Sequence, residues 1–448
     1  MSLVMQSGHQ TAAGAAEKSR HGFIIALMIL SFVMPFFFFF IGLRLSAYRL
    51  YFLAATIPVL IQWAKGAAGP VRSPDILVLL AAMWAALALF ANHGIGRWQF
   101  AGILVVETVV PYLFARVLIR DYVTFRTAVW WLFAIVLVLV PFALYENITG
   151  KPILLNIFGG VFQVYADVNQ EPRLGLERAQ ASMPHPILFG VFCSPVLALS
   201  WYVLSPEGAF FKQTQRSIIV STAVFSSLSS GAFMGVMLQA FLIAWDEILK
   251  KIKSRWVIFA IIFGIIYTIL ELASNRNAFQ IIATELTFSA GSAWNRIHIF
   301  NHAIDDIFRN PIFGIGLGEW TRPKWMKPSV DNFWLLIALR YGIPALIFLG
   351  LAVIIASYQI IRAPLTGLYA RVRTGFLISF LSLSVSAFTV HLWDATYCLF
   401  MFLLGSGMWL IDARETPEGE GEQVQGTSAR REIRYTRFPK GPDPEPAE

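Results

Sequence analysis

Arg173 and Arg178 stand just before the run Met183-Pro184-His185-Pro186. Two guanidiniums suit a diphosphate, because each planar fork can donate two parallel hydrogen bonds to phosphate oxygens. Lipid-headgroup contact, or a local salt bridge with Glu171 or Glu177, accounts for the same spacing. Farther on, Asn295-Arg296-Ile297-His298 opens a segment in which Ile297, Phe300, Ile304 and Ile307 recur at helical spacing. That pattern predicts an amphipathic helix lying on the protein or the membrane, ended by Pro311. His298, His302 and Asp305 stack on its polar face. Histidines at i and i+4 can hold zinc in HExxH proteases, but Ile299 follows His298, so the general base of those enzymes is missing. We therefore assign no metal and no cofactor. Gly314, Gly316 and Gly318 imitate a dinucleotide fingerprint, which needs a preceding strand; here a helix precedes. These glycines are read as letting backbone pass close to a neighbouring helix. Asp331-Asn332 then leads into an apolar run. Glu107 interrupts another apolar run, and a carboxylate in such a place is costly and usually functional or paired. His391 and Asp394 sit between the last two runs, where they could face the same cavity.

The elements that must position these residues are membrane helices. The chain has 448 residues, of which 57% are hydrophobic and 14% charged, against about a quarter charged in soluble domains. Surface-to-volume scaling does not let a soluble fold hide that much apolar surface. The net charge of +8 is explained by positively charged inner loops, so no nucleic-acid partner is implied. The lone Cys193 and Cys398 fall in apolar runs and exclude a disulfide framework. The expected fold is an all-α polytopic membrane protein with about 12 transmembrane helices. They fall at 22–43, 47–64, 74–92, 99–118, 124–147, 187–204, 216–230, 231–249, 255–273, 333–361, 373–392 and 395–412. The first includes the PFFFFF run. The pair 216–230 and 231–249 is separated only by Ser229-Ser230-Gly231. The run 333–361 is too long for one crossing, and its first part is expected at the interface, with the span proper beginning near Gly342.

Basic loops around Arg116, Lys250 and Arg371 fall on one side if the N-terminus is cytoplasmic. Residues 1–21 then form a cytoplasmic segment, 22–412 the membrane domain, and 413–448 a disordered cytoplasmic tail. Both termini are cytoplasmic, and the long loops at about 147–186 and 274–332 face outward. Arg44 and Arg49 break the charge rule.

The order of a basic loop ending in His-Pro, a helix opening with Asn-Arg, the run Asn310-Pro311-Ile-Phe-Gly-Ile-Gly-Leu-Gly318, and an Asn-containing motif entering a helix with Tyr341-Gly342 resembles the O-antigen ligase and polymerase superfamily of bacterial envelopes. The Tyr145-Glu146-Asn147 end of the fifth run is similar to it too, and the resemblance covers roughly residues 100 to 400. It implies a metal-independent glycosyltransferase of the inner membrane. Such an enzyme moves glycan from an undecaprenyl diphosphate carrier on the periplasmic face, and polymerases of this kind commonly work with a chain-length regulator. It places an essential arginine at Arg296, with Arg173 and Arg178 as its partners on the diphosphate. Ligases usually carry His-Asn where this chain has Asp331-Asn332, and often Ser-Arg-Gly where it has Ser229-Ser230-Gly231. The base is therefore Asp331, or His185 or His391 in its place, and a polymerase is favoured over a lipid A core ligase. The competing readings are a transporter of small solutes, served by Glu107 and a basic vestibule, and a non-catalytic scaffold for envelope assembly.

Overall fold

The computed structural model describes residues 20–168, 170–273 and 290–413. The expected N-terminal segment up to residue 19, the expected tail from residue 414, and residues 274–289 of the second loop lie outside the described residues. The chain is a predominantly helical, multi-pass membrane protein. Among the described residues nine helical stretches are long and apolar enough to cross a membrane. Several turn large apolar side chains outward, as Ile261, Phe263, Ile265 and Leu272 do, which only a lipid solvent tolerates.

In chain order the elements begin with α1 (Arg20–Val33), β1 (Phe36–Phe40), β2 (Leu43–Ser46), α2 (Ala47–Ala64), α3 (Ser73–His93), α4 (Trp98–Leu118) and α5 (Tyr122–Thr149). After the short α6 (Ile153–Gly159) and β3 (Gln163–Val164) come α7 (Pro186–Cys193), α8 (Val196–Val203), α9 (Phe210–Ser226), α10 (Ser230–Ile248) and α11 (Arg255–Ala273). The amphipathic α12 (Ala290–Arg309) is followed by α13 (Phe333–Tyr341), α14 (Ile343–Arg362), α15 (Gly367–Ser386) and α16 (Asp394–Ser406).

Two expectations need correction. The run 22–43 is not one helix: α1 stops at Val33, and Phe36–Phe40 pairs antiparallel with Leu43–Ser46. Pro35 lacks the N–H a helix needs and its ring clashes with the preceding turn. A run of five phenylalanines has no helical periodicity, and Phe favours strands. Ile41 and Gly42 turn the hairpin at φ 49° and 77°, the two positive angles that suit a two-residue connection. Val164 pairs with Phe36, so a small three-stranded sheet accompanies the predominantly helical fold. The run 187–204 is a single candidate span, Pro186–Val203, interrupted at Ser194-Pro195 into α7 and α8. The second correction concerns α12: of the expected stripe Ile297 and Ile307 are buried, but Phe300 is 40% exposed, and Ile299, Ala303 and Asp306 complete the buried face. That stripe packs on Trp320, Met326 and the α13 residues Leu335 and Leu339. The run 333–361 divides at Gly342 into α13 and α14.

The glycine segment closes the C-terminus of α13. The N–H groups of Ile315 and Gly316 donate to the carbonyls of Leu339 (2.8 Å) and Arg340 (2.9 Å), which a helix end otherwise leaves unpaired. Gly342, at φ 84°, lies so close to the Ile312 carbonyl that a Cβ there would collide with backbone.

The bundle has two distinct ends. At one, Asp75 of α3 holds the fully buried Arg116 of α4 (2.9 Å) and accepts from the Tyr112 hydroxyl (2.5 Å). Arg72 reaches Asp412 beside them. The other end carries the hairpin, the 150–185 loop, α12, α13 and the segment 387–393, and every candidate site residue lies there.

Candidate functional site

The loop end is built around the turn that joins α9 to α10. Leu228 sits in it at φ 46°, a strained angle for a branched side chain. Asn147, near the end of α5, donates from Nδ2 to the carbonyls of Glu177 (2.5 Å) and Ser226 (2.7 Å). Glu146 accepts from the N–H groups of Gln180 and Ala181, each at 2.9 Å. These two side chains clamp residues 177–181 onto the turn, and Arg178 is carried in with them. Arg178 is buried; its Nε donates to the Ser227 carbonyl (3.3 Å) and Nη1 to Gln170 (3.1 Å). A tight bend at Leu174-Gly175 brings Arg173 to the same turn, where Nη1 donates to the Leu228 carbonyl (2.8 Å). This is the turn on which the resemblance led us to expect an arginine and the sequence has serines.

Arg296 of α12 and Asp331 complete the cluster. Burial lowers the pKa of Arg296; the nearby Asp331 carboxylate opposes this and Arg173 adds to it. Arg178 is pushed down to about 10 by burial and by Arg173. Crowded cations of this kind are relieved by an anion. Arg178 Nη2 and Arg296 Nη1 are both buried with no hydrogen-bond partner among the described residues. Buried guanidinium nitrogens are seldom left so, and each has hydrogen-bonding capacity left to donate.

The four candidate bases and acids differ in what their surroundings allow. Burial raises the Asp331 carboxyl above its ordinary value, against the lowering pull of Arg296, Lys327 and the Ser329 hydroxyl. The next residue, Asn332, caps α13 by accepting from the Leu335 N–H (3.0 Å), which fixes Asp331 at the helix entrance. His185 caps α7 through Nδ1, which accepts from the Ile187 N–H (3.1 Å). Its neutral ring must then carry the proton on Nε2, making His185 a donor rather than a base. Burial and Arg178 push His185 down to about 4; burial and Arg340 push His391 down to about 3. Both histidines pack against Trp393, with ring centroids 6.0 and 5.1 Å away.

Two cavities meet at this point. One, of about 510 Å³, is lined by Asp331, Glu319 and Arg322. The other, of about 460 Å³, is lined by Glu107 and Asp394. Leu336, Arg340, His391 and Trp393 line both. Thus Asp331 and His391 border one space, Arg296 acts on Asp331 and Arg173 on Arg296, and His185 lines neither cavity but packs on Trp393, which lines both.

Several residues of this site were not singled out from the sequence. Arg340 stands at the junction of the cavities. Arg44 and Arg49, anomalous in the charge pattern, are ion-paired with Asp394 and Glu107. Glu107 lies mid-way along α4, but its partners stand at the starts of α2 and α16, so it is level with the loop end. His298 lies beside Trp294 and Trp325, and among the described residues no group of three or more His, Cys, Asp or Glu is placed to hold a metal. No protein-family model matches the chain, and a search of curated proteins returns no match.

Proposed function

We propose that the chain is an integral-membrane glycosyltransferase of the O-antigen ligase and polymerase type. It transfers or polymerises undecaprenyl-diphosphate-linked glycan in surface-polysaccharide biosynthesis, with polymerase favoured over lipid A core ligase. The observation that carries this is the convergence of Arg173, Arg178 and Arg296, two of them with an unfilled buried nitrogen, beside Asp331. In this reading the acceptor hydroxyl oxygen attacks the anomeric carbon and its proton passes to the Asp331 carboxylate. The bond from that carbon to the diphosphate oxygen breaks, and the electron pair leaves with the diphosphate. The arginines stabilise the charge that develops there, as fixed donors do best in a water-poor site. A leaving group that is already a diphosphate needs no metal for this step.

The membrane arrangement follows. If α1, α2 and α9 cross as well as the nine longer stretches, the chain makes twelve crossings. The loop end then faces the periplasm of a bacterial inner membrane, and both termini are cytoplasmic. A gel of surface polysaccharide from a deletion strain tests the function. Loss of high-molecular-weight exopolysaccharide with intact lipopolysaccharide indicates a polymerase; bare lipid A core indicates a ligase. Normal amounts of both polymers refute the reading.

A further inference from the structure

The cavity of about 460 Å³ contains a second constellation, distinct from the three arginines. Arg49 Nε donates to Glu107 Oε1 (2.6 Å) and its Nη2 to Asp394 Oδ1 (3.2 Å). Arg44 Nη2 donates to Asp394 Oδ2 (2.5 Å). The Tyr48 hydroxyl lies 3.1 Å from both Glu107 Oε1 and Asp394 Oδ1. Asp394 is held at φ 52°, a left-handed angle that a surrounding network must enforce. Of the four carboxylate oxygens, only Glu107 Oε2 has no hydrogen-bond partner among the described residues, and Glu107 lines the cavity. Trp393, Phe333 and Tyr397 supply aromatic walls.

The charge arithmetic selects the ligand. Within the constellation Arg44 and Arg49 are matched by Asp394 and Glu107, the third cation, Arg340, stands on the wall shared with the other cavity, and Glu107 Oε2 repels a phosphate from this end. The guanidiniums beside that oxygen equally repel a metal ion or an ammonium. What fits is an uncharged ligand with hydroxyl groups to donate and apolar C–H faces to lay on aromatic rings. The volume falls within the range of about 300–1,000 Å³ usual for small-molecule sites. We propose that this cavity is the acceptor subsite and binds an uncharged sugar unit, with Glu107 Oε2 accepting from one of its hydroxyls. The assignment rests on the glycan-transfer function proposed above. It also uses the geometry of the shared wall: a sugar held here can present a hydroxyl past Arg340 and His391 toward Asp331.

The test uses the full-length protein in its own membrane. A photoreactive diazirine analogue of leucine replaces Leu104, which lines this cavity, or Leu317, which lines the other. After illumination the adducts are identified by mass spectrometry. The expected result is a sugar-bearing adduct at Leu104, reduced at least tenfold by Glu107→Gln. That change keeps the Arg49 contact but puts an N–H donor where the free oxygen was. A second variant, Ile103→Trp, fills the cavity without touching the ion pairs and is expected to remove the same adduct. Phospholipid alone at Leu104, with sugar captured at Leu317, overturns the subsite and leaves the function standing. Sugar captured at neither position overturns both.

Discussion

Asn147→Ala is the perturbation that most directly separates positioning from catalysis. Asn147 is buried and lines neither of the two cavities described above; it donates to the Glu177 and Ser226 carbonyls at 2.5 and 2.7 Å. Alanine removes both bonds. The Ser226 carbonyl keeps the Ala179 N–H (3.0 Å), but the Glu177 carbonyl loses the side-chain donor it had. Losing the Ser226 bond costs about 1 kcal/mol, and leaving the part-buried Glu177 acceptor without its side-chain donor costs about 1–3 kcal/mol. Residues 177–181 are therefore held about 2–4 kcal/mol less firmly, the two bonds to Glu146 remaining. With about 1.4 kcal/mol per tenfold in rate, glycan transfer falls by a factor between about thirty and about seven hundred. The assay is incorporation of labelled lipid-linked repeat units into polymer by protein in proteoliposomes, run as a double-mutant cycle with Arg178→Ala. If Asn147 acts through Arg178, its effect shrinks to near unity once Arg178 is gone. Additive losses, or an Asn147→Ala protein with full activity, would refute the clamp.

Further outcomes follow from the same contacts. His185→Asn keeps activity, because an Asn oxygen can cap α7 as His185 Nδ1 does; a folded but inactive His185→Asn protein would restore His185 as a base. Burial raises the Asp331 carboxyl, so its proton is held more tightly in the folded than in the unfolded chain, and its contribution to stability is lost as pH rises through the raised value. Asp331→Asn is accordingly more thermostable than the parent at pH 7 and inactive, and the stability gap closes as pH is lowered past the ordinary carboxylate pKa. A melting series against pH checks the sign. Asp75→Ala strands the fully buried Arg116 and costs about 3–5 kcal/mol, read as a lowered melting temperature in detergent.

The helical membrane architecture was legible because apolar runs of spanning length leave few alternatives. Arg173, Arg178, Arg296 and Asp331 were each visible as charges beside apolar runs, and the structure gathers them at one end. The clamp by Glu146 and Asn147 was not, because side chains that bond to distant backbone leave no pattern in their own neighbourhood. The Phe36–Phe40 strand was hidden because five identical residues carry neither a helical nor a strand period. In α12 the spacing places Ile297 and Ile307 correctly but not Phe300, since Ile299 and Ala303 bury against Met326 and Leu339, partners that local periodicity does not specify. Arg44 and Arg49 were visible only as exceptions to a charge rule, and their reason lies some 58 to 350 residues away in Glu107 and Asp394.

The central claim is that the three arginines at the loop end drive glycan transfer from a diphosphate carrier. It is tested most directly by purified protein in proteoliposomes, supplied with lipid-linked repeat units from the deletion strain and a metal chelator. The account predicts longer glycan and released undecaprenyl diphosphate with the parent protein, and loss of both products with Arg296→Ala at unchanged membrane insertion. Equal product from Arg296→Ala, or none from the parent while the same units are polymerised by membranes containing it, would contradict the account.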